Sequence, residues 1–74
     1  MQAVYTKVYA KVGKTVRRLR QELGWNQDEL AYRAGLHRAH VGEIERGETN
    51  ITLKTLKILA DTFKVRITDL LDGL

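Results

Sequence analysis

The sequence predicts an all-α domain, compact and built from five helices. Three observations lead to this fold class. The 74 residues include no proline, and large apolar residues recur three and four positions apart, the spacing of helices that each bury one face. Glycines and short capping residues separate the apolar segments, so most of the helices have readable ends.

The first helix begins between Tyr5 and Val12 and ends at Leu23, where Gly24 is placed to cap it. Its start is left open because VYTKVY contains few strong helix formers. An apolar stripe along this helix predicts its core side, and it consists of Val12, Val16, Leu19 and Leu23. Residues 1–11 are assigned to an N-terminal extension of this helix, without a role, and residues 12–74 to the domain itself.

The second helix is short and covers Gln27–Ala34, with Asn26 as its N-cap. Asp28 and Glu29 lie in its first turn, where the positive end of the helix dipole favours carboxylates. Gly35 then supplies the positive φ that a sharp turn requires.

The third helix covers about Arg38–Arg46 and ends at Gly47. Leu36 before the cap position and Val41 at the fourth helical position predict a hydrophobic staple. On a wheel of about 100° per residue, the inward side holds Val41, Ile44 and Glu45. The outward side lacks apolar bulk and holds Ala39, Glu43 and Arg46, with Gly42 and His40 on its flanks.

Two charged residues lie on predicted apolar stripes, Glu45 in the third helix and Arg20 in the first. A buried charge is tolerated only when it is paired. We therefore predict an ion pair between Arg20 and Glu45 that joins the two helices. The alternative is that both side chains reach solvent at the edge of their stripes.

Thr52 is the predicted cap of the fourth helix, and Thr68 that of a short fifth helix. The core side of the fourth helix is predicted to hold Leu53, Leu56, Leu59, Ala60 and Phe63. The fifth helix carries more leucine than one small core needs. The predicted dimer surface therefore consists of Val65, Ile67, Leu70, Leu71 and Leu74, although these side chains would alternatively only seal the core.

Composition limits the classes of function. The net charge is +4, and residues 1–20 hold six bases and no acid, a balance compatible with nucleic acid and also found among ordinary small domains. The chain has no cysteine, which excludes disulfides and thiolate metal sites. The N-terminus lacks the apolar segment of a signal peptide, and no stretch reaches transmembrane length, so a cytoplasmic protein without membrane association is expected.

Catalytic and metal chemistry are poorly supported. His37, His40 and Glu43 follow one another at three-residue spacing, but zinc requires a fourth ligand and none is evident. The sequence contains neither a hydroxyl–histidine–acid set nor a glycine-rich phosphate loop. We expect no metal, no cofactor and no enzymatic activity.

Several short motifs follow one another along the middle of the chain: Asn26–Gln27–Asp28–Glu29–Leu30–Ala31, Ala34–Gly35–Leu36, Val41 and Ile44–Glu45–Arg46–Gly47. Together they resemble the Cro/repressor-type (XRE) helix-turn-helix family. Similar flanking helices extend the resemblance to about residues 12–71. It implies a lambda-repressor-like fold in which the third helix enters the major groove of double-stranded DNA and the second crosses above the backbone.

The resemblance, together with side-chain chemistry, predicts which residues contact DNA. Contacts to bases are expected from Arg38, Ala39, Gly42 and Glu43. Contacts to phosphates are expected from Gln27, His37, Arg46, Asn50 and Lys54. Two of these depart from the family pattern: His37 replaces the usual Ser, Thr or Asp cap, and Gly42 within a helix indicates either room for DNA or simple tolerance.

The predicted function is that of a sequence-specific transcriptional regulator acting as a homodimer on a pseudo-palindromic operator, with no small-molecule ligand expected. The run Ile44–Leu53 is similar to that of restriction–modification controller proteins. Two alternatives stay open. One is an antitoxin or phage-type repressor on the same fold, and the other is a protein-binding adaptor without base readout.

Overall fold

The computed structural model describes the backbone of residues 2–71 and the side chains of residues 7–71. Its helices are α1 (Gln2–Glu22), α2 (Gln27–Ala34), α3 (Arg38–Arg46), α4 (Leu53–Phe63) and α5 (Ile67–Leu70). α2 and α3 have the predicted bounds. α1 starts earlier than expected, and the predicted division between residues 11 and 12 falls inside this continuous helix.

Local capping interactions explain most of the helix ends. Asn26 Oδ1 accepts a hydrogen bond from the Glu29 N–H at 2.8 Å, and Thr52 Oγ1 accepts one from the Thr55 N–H at 3.1 Å. Gly35 and Gly47 have φ of 68° and 71°, the left-handed conformation that ends a helix at little steric cost for glycine. The turn between α2 and α3 is thereby determined by residues within it.

Besides the start of α1, three sequence predictions about the helices are wrong. α5 begins at Ile67 rather than after Thr68, because the Asp69 carboxylate accepts a hydrogen bond from the Arg66 N–H at 2.8 Å and caps the helix two residues earlier. Leu23 is 50% exposed and Leu53 is 71% exposed. Leu23 follows the last residue of α1 and Leu53 is the first residue of α4, so both lie at the ends of their stripes, beyond the packed part of the helix.

The core lies where the five helices meet. Its buried apolar side chains are Val12, Val16, Leu30, Ala31, Val41, Ile44, Leu59, Ala60, Phe63 and Leu70. α1 and α3 approach closely, since a Cβ added at Gly13 would lie 2.3 Å from the Ile44 carbonyl oxygen. Within residues 2–71, no helix is both long and apolar enough to cross a membrane.

An aromatic stack closes the core beside α2. The rings of Trp25 and Phe63 lie 6.0 Å apart at an interplanar angle of 15°. The Arg33 guanidinium lies over the Trp25 ring, 4.4 Å from its centre, a geometry suited to a cation–π interaction. These contacts attach α2 to the end of α4 and help to hold its orientation.

Candidate nucleic-acid interface

α3 has one face in the core and the opposite face in solvent. Val41 and Ile44 are buried, and Leu36 packs against the same core from the turn that precedes the helix. The outward side presents exposed side chains, namely Arg38, Ala39, Glu43 and Arg46. A polar helix face without apolar bulk is therefore available to a partner.

The ion pair between Arg20 and Glu45 is present and holds α3 to α1. Arg20 Nε lies 2.6 Å from Glu45 Oε2 and Nη2 donates to Oε1 at 3.0 Å, with the two side chains only 11% and 3% exposed. Arg20 Nη1 also donates to the Trp25 carbonyl oxygen at 2.9 Å. The hydrogen bonds to Glu45 raise the pKa of Arg20 above its usual value despite its burial, so the guanidinium is charged at any physiological pH.

Gln27 belongs to the same network. Its Nε2 donates to Glu45 Oε1 at 3.1 Å, which uses one of the two hydrogens of the amide group. Gln27 is the first residue of α2, where backbone N–H groups lack intrahelical acceptors and favour anions. The side chain is thus held beside a helix N-terminus with a second hydrogen available for a phosphate oxygen.

Arg38 is the first residue of α3 and is engaged by α2. Its Nε lies 3.0 Å from Asp28 Oδ1, and the two side chains are 66% and 71% exposed. The position of Asp28 in the sequence predicted only an interaction with the helix dipole, not this contact. Spacing along the chain carries no signal for it, because the two residues face each other only after the turn at Gly35 folds.

The space expected for DNA at Gly42 is occupied by a side chain of the protein. Gly42 is buried, and a Cβ added there would lie 3.0 Å from Arg46 Nη1. Arg46 reaches back along the helix, as side chains four residues apart do, and its Nε lies 2.9 Å from Glu48 Oε1. In this structure the end of the Arg46 side chain covers Gly42, and a base contact at Gly42 stays a prediction.

The remaining predicted phosphate contacts are exposed. His37 is the N-cap of α3 but makes no side-chain capping hydrogen bond, so its imidazole is not committed to the helix. Asn50 lies in the loop after α3, and Lys54 in the first turn of α4.

His40, on the flank of α3, is half-buried, and its Nε2 is buried without a hydrogen-bond partner among the described atoms. Within the described part of the chain, no cluster of three or more His, Asp or Glu could hold a metal ion.

The predicted dimer surface is only partly at the surface. Val65 and Ile67 are half-buried and line a cleft between α4 and α5, and Leu71, directly after α5, is half-buried as well. Leu70 is 0% exposed and belongs to the core of its own chain, so its assignment to the dimer surface is wrong. Leu74 lies outside the described residues.

Two helices joined by a left-handed glycine turn, the second with a buried apolar face and an exposed polar one, define a helix-turn-helix domain. The chain belongs to the Helix-turn-helix family HTH_3, whose profile matches residues 16–70.

Bacterial regulators are among its relatives. The control protein C.SmaI of Serratia marcescens is 40% identical over 60 residues, which are 81% of this chain and 71% of that protein. The HTH-type transcriptional regulator DdrOP3 of Deinococcus deserti is 38% identical over 63 residues, 85% of this chain. The chain spans only 49% of the length of DdrOP3.

Solved structures show the same architecture. The restriction–modification controller protein C.AhdI of Aeromonas hydrophila superposes with a TM-score of 0.80 at 35% identity, covering 84% of this chain and 94% of that one. The controller protein C.Esp1396I, solved as a tetramer with its natural 35 base-pair operator, superposes with a TM-score of 0.74 at 29% identity, covering 88% of this chain and 96% of that one.

Proposed function

We propose that this chain is a sequence-specific DNA-binding regulator of transcription that acts as a homodimer. The observation that carries the proposal is the way in which α3 is held against the domain. Its inner face and Glu45 are fixed to the rest of the domain, while its outer face is polar, exposed and free of apolar bulk. An exposed helix of this kind fits the major groove of B-DNA, which is wide enough to admit one helix.

Side-chain chemistry supports separate roles for the two helices. Arg38 and Ala39 project from the first turn of α3, where a guanidinium is suited to guanine O6 and N7 and a methyl group to the thymine methyl. Gln27 and the N-terminal amides of α2 are suited to a phosphate oxygen. Glu43 is suited to accept a hydrogen bond from cytosine N4.

The proposed dimer forms through the surface around the α4–α5 cleft. Val65 and Ile67 offer partly exposed apolar area there, and Leu71 adds to it from the residue after α5. A twofold dimer of helix-turn-helix domains places its two α3 helices in half-sites about 34 Å apart on one side of the duplex. The operator of such a dimer is a pseudo-palindrome.

The proposed subtype is a restriction–modification controller, acting in the cytoplasm on its own promoter. Support comes from the similarity to C.SmaI and C.AhdI over most of the chain, including most of the length of each of these two proteins. The antitoxin or phage-repressor alternative shares the fold, and the genes beside this one separate the two: a methyltransferase and an endonuclease favour a controller, whereas a small toxin favours an antitoxin.

A gel-shift titration on the DNA upstream of the gene tests the proposal. We expect one or more retarded species, a footprint with twofold symmetry, and affinity that falls with salt at a log–log slope of about −0.9 per phosphate contacted. Arg38→Ala should weaken binding to the footprinted site by about 1–3 kcal/mol and leave binding to random duplexes almost unchanged.

Arg18→Ala is the matched control, because it removes the same charge from an exposed ion pair with Glu22 on α1. It should not reduce the preference for the footprinted site. Equal losses on specific and random DNA for Arg38→Ala contradict base recognition by Arg38. Absence of any shift at low salt contradicts the proposal and favours the adaptor alternative.

A further inference from the structure

Asp28 makes the contact from which the inference starts. The carboxylate projects from the first turn of α2, which the proposed function places nearest the phosphates. A carboxylate there is repelled by DNA and weakens binding to any sequence, so a compensating interaction is expected at this position. The structure supplies that interaction, because Asp28 Oδ1 lies 3.0 Å from Arg38 Nε.

The atom that Asp28 engages decides which part of Arg38 is left for DNA. A guanidinium has five N–H donors in one plane. Nε is the guanidinium nitrogen that lies 3.0 Å from Asp28 Oδ1, so the two terminal nitrogens remain for DNA, and guanine presents O6 and N7 as a pair of acceptors in the major groove. The contact to Asp28 and a bidentate contact to guanine are therefore compatible.

Asp28 and Arg38 differ in how much freedom their side chains have. Asp28 is on α2, next to Gln27, whose amide is bonded to the buried Glu45. Arg38 has a long side chain that loses rotamer freedom when it binds a base. The ion pair with a carboxylate on α2 restricts that freedom before DNA arrives, so a smaller ordering cost remains at the interface.

We propose that Asp28 is a positioning residue that sharpens the preference of Arg38 for guanine. On a guanine, Arg38 binds with the pair to Asp28 intact. On any other base the guanidinium stays with Asp28, and its terminal nitrogens find no matching pair of acceptors in the major groove. This inference rests on the proposed function, specifically on a base contact by Arg38.

Glu29 provides a matched control within the same turn. It carries the same charge and has the same relation to the helix dipole, but its carboxylate pairs with Arg33, 2.6 Å away, rather than with α3. Asp28→Ala and Glu29→Ala thus remove equal charge from one helix end, and only the first removes the contact to Arg38. Asp28→Asn keeps an oxygen acceptor without the charge.

The experiment begins with selection of duplexes from a randomised library by the wild-type protein and by Arg38→Ala. A guanine position whose preference disappears in Arg38→Ala identifies the base pair that Arg38 reads. Affinity of each variant is then measured on the selected duplex and on the same duplex with that guanine replaced by adenine. The ratio of the two affinities is the readout, because a general effect on folding or charge changes both equally.

Asp28→Ala should lower this ratio about two- to fivefold, the range of an exposed ion pair, while binding random DNA more tightly than the wild type. Asp28→Asn should retain most of the ratio. Glu29→Ala should leave the ratio unchanged. The effect of Asp28→Ala on this ratio should vanish when Arg38 is already alanine.

Two negative results have different meanings. If Arg38→Ala loses no guanine preference, the base contact fails and the inference fails with it. Suppose instead that Arg38→Ala loses that preference, but Asp28→Ala and Glu29→Ala both show the same affinity ratio as the wild type. Asp28 then acts only through its charge. The positioning role is then overturned while the proposed function stands.

Discussion

Removal of Arg20 should destabilise the domain severely. Glu45 is 3% exposed and accepts two hydrogen bonds from Arg20. In Arg20→Ala its carboxylate stays in the core with the Gln27 amide as its remaining described side-chain partner. Breaking a buried pair by removing one partner costs about 3–5 kcal/mol. A domain of this length has a free energy of unfolding of about 4–11 kcal/mol, so the variant loses a large part of its stability.

Urea unfolding followed by the helical circular dichroism signal measures this loss. Thermal unfolding should show a melting temperature lower by at least about 12 °C, from about 4–8 °C per kcal/mol for a domain of this size. Arg18→Ala, which breaks the exposed pair to Glu22, should cost no more than about 0.5 kcal/mol.

A double variant separates the loss of the pair from the cost of an unpaired charge. Arg20→Met with Glu45→Leu replaces both charges by apolar side chains and should be more stable than either single variant, within about 1–2 kcal/mol of the wild type or above it. A loss below about 1 kcal/mol in Arg20→Ala, or single losses that simply add in the double variant, would refute the argument that a paired charge is required here.

Three further predictions concern backbone positions and use the same unfolding assay. Gly13→Ala should destabilise by about 1–3 kcal/mol, because the new Cβ would lie 2.3 Å from the Ile44 carbonyl oxygen; an unchanged midpoint would contradict the close packing of α1 on α3. Gly42→Ala should be neutral or more stable by up to about 1 kcal/mol, since its Cβ meets only the movable end of Arg46, and a large loss would contradict this. Lys64→Gly should stabilise by up to about 1 kcal/mol, because Lys64 has φ of 60°, a conformation that costs about 1–2 kcal/mol for residues with a Cβ; destabilisation would show that the lysine side chain has a packing role.

Much of the fold was predictable because the deciding interactions are local. The caps at Asn26 and Thr52 and the glycine turns at Gly35 and Gly47 involve residues within a few positions of one another. A motif of that length can be read directly from the chain. The end of α4 was not readable in this way, since Lys64 adopts a left-handed conformation with no glycine to indicate it.

Part of the candidate site was predictable for a different reason. Arg20 and Glu45 each interrupt an apolar stripe, and the cost of an unpaired buried charge restricts them to one another. Because both charges are buried, the sequence pattern predicts a contact between positions that are far apart in the chain. No such restriction applies to exposed residues, so the pair of Asp28 and Arg38 had no counterpart in the sequence patterns.

The sequence alone determined the class of fold, the bounds of α2 and α3 and the pairing of the buried charges, because each depends on short-range capping or on the penalty for burying an unpaired group. The tertiary structure decided what the exposed face of α3 presents. It directs Arg38 toward Asp28, folds Arg46 over Gly42 and places Leu70 in the core. These arrangements depend on distances between side chains on different turns or helices, which are established only when the helices pack.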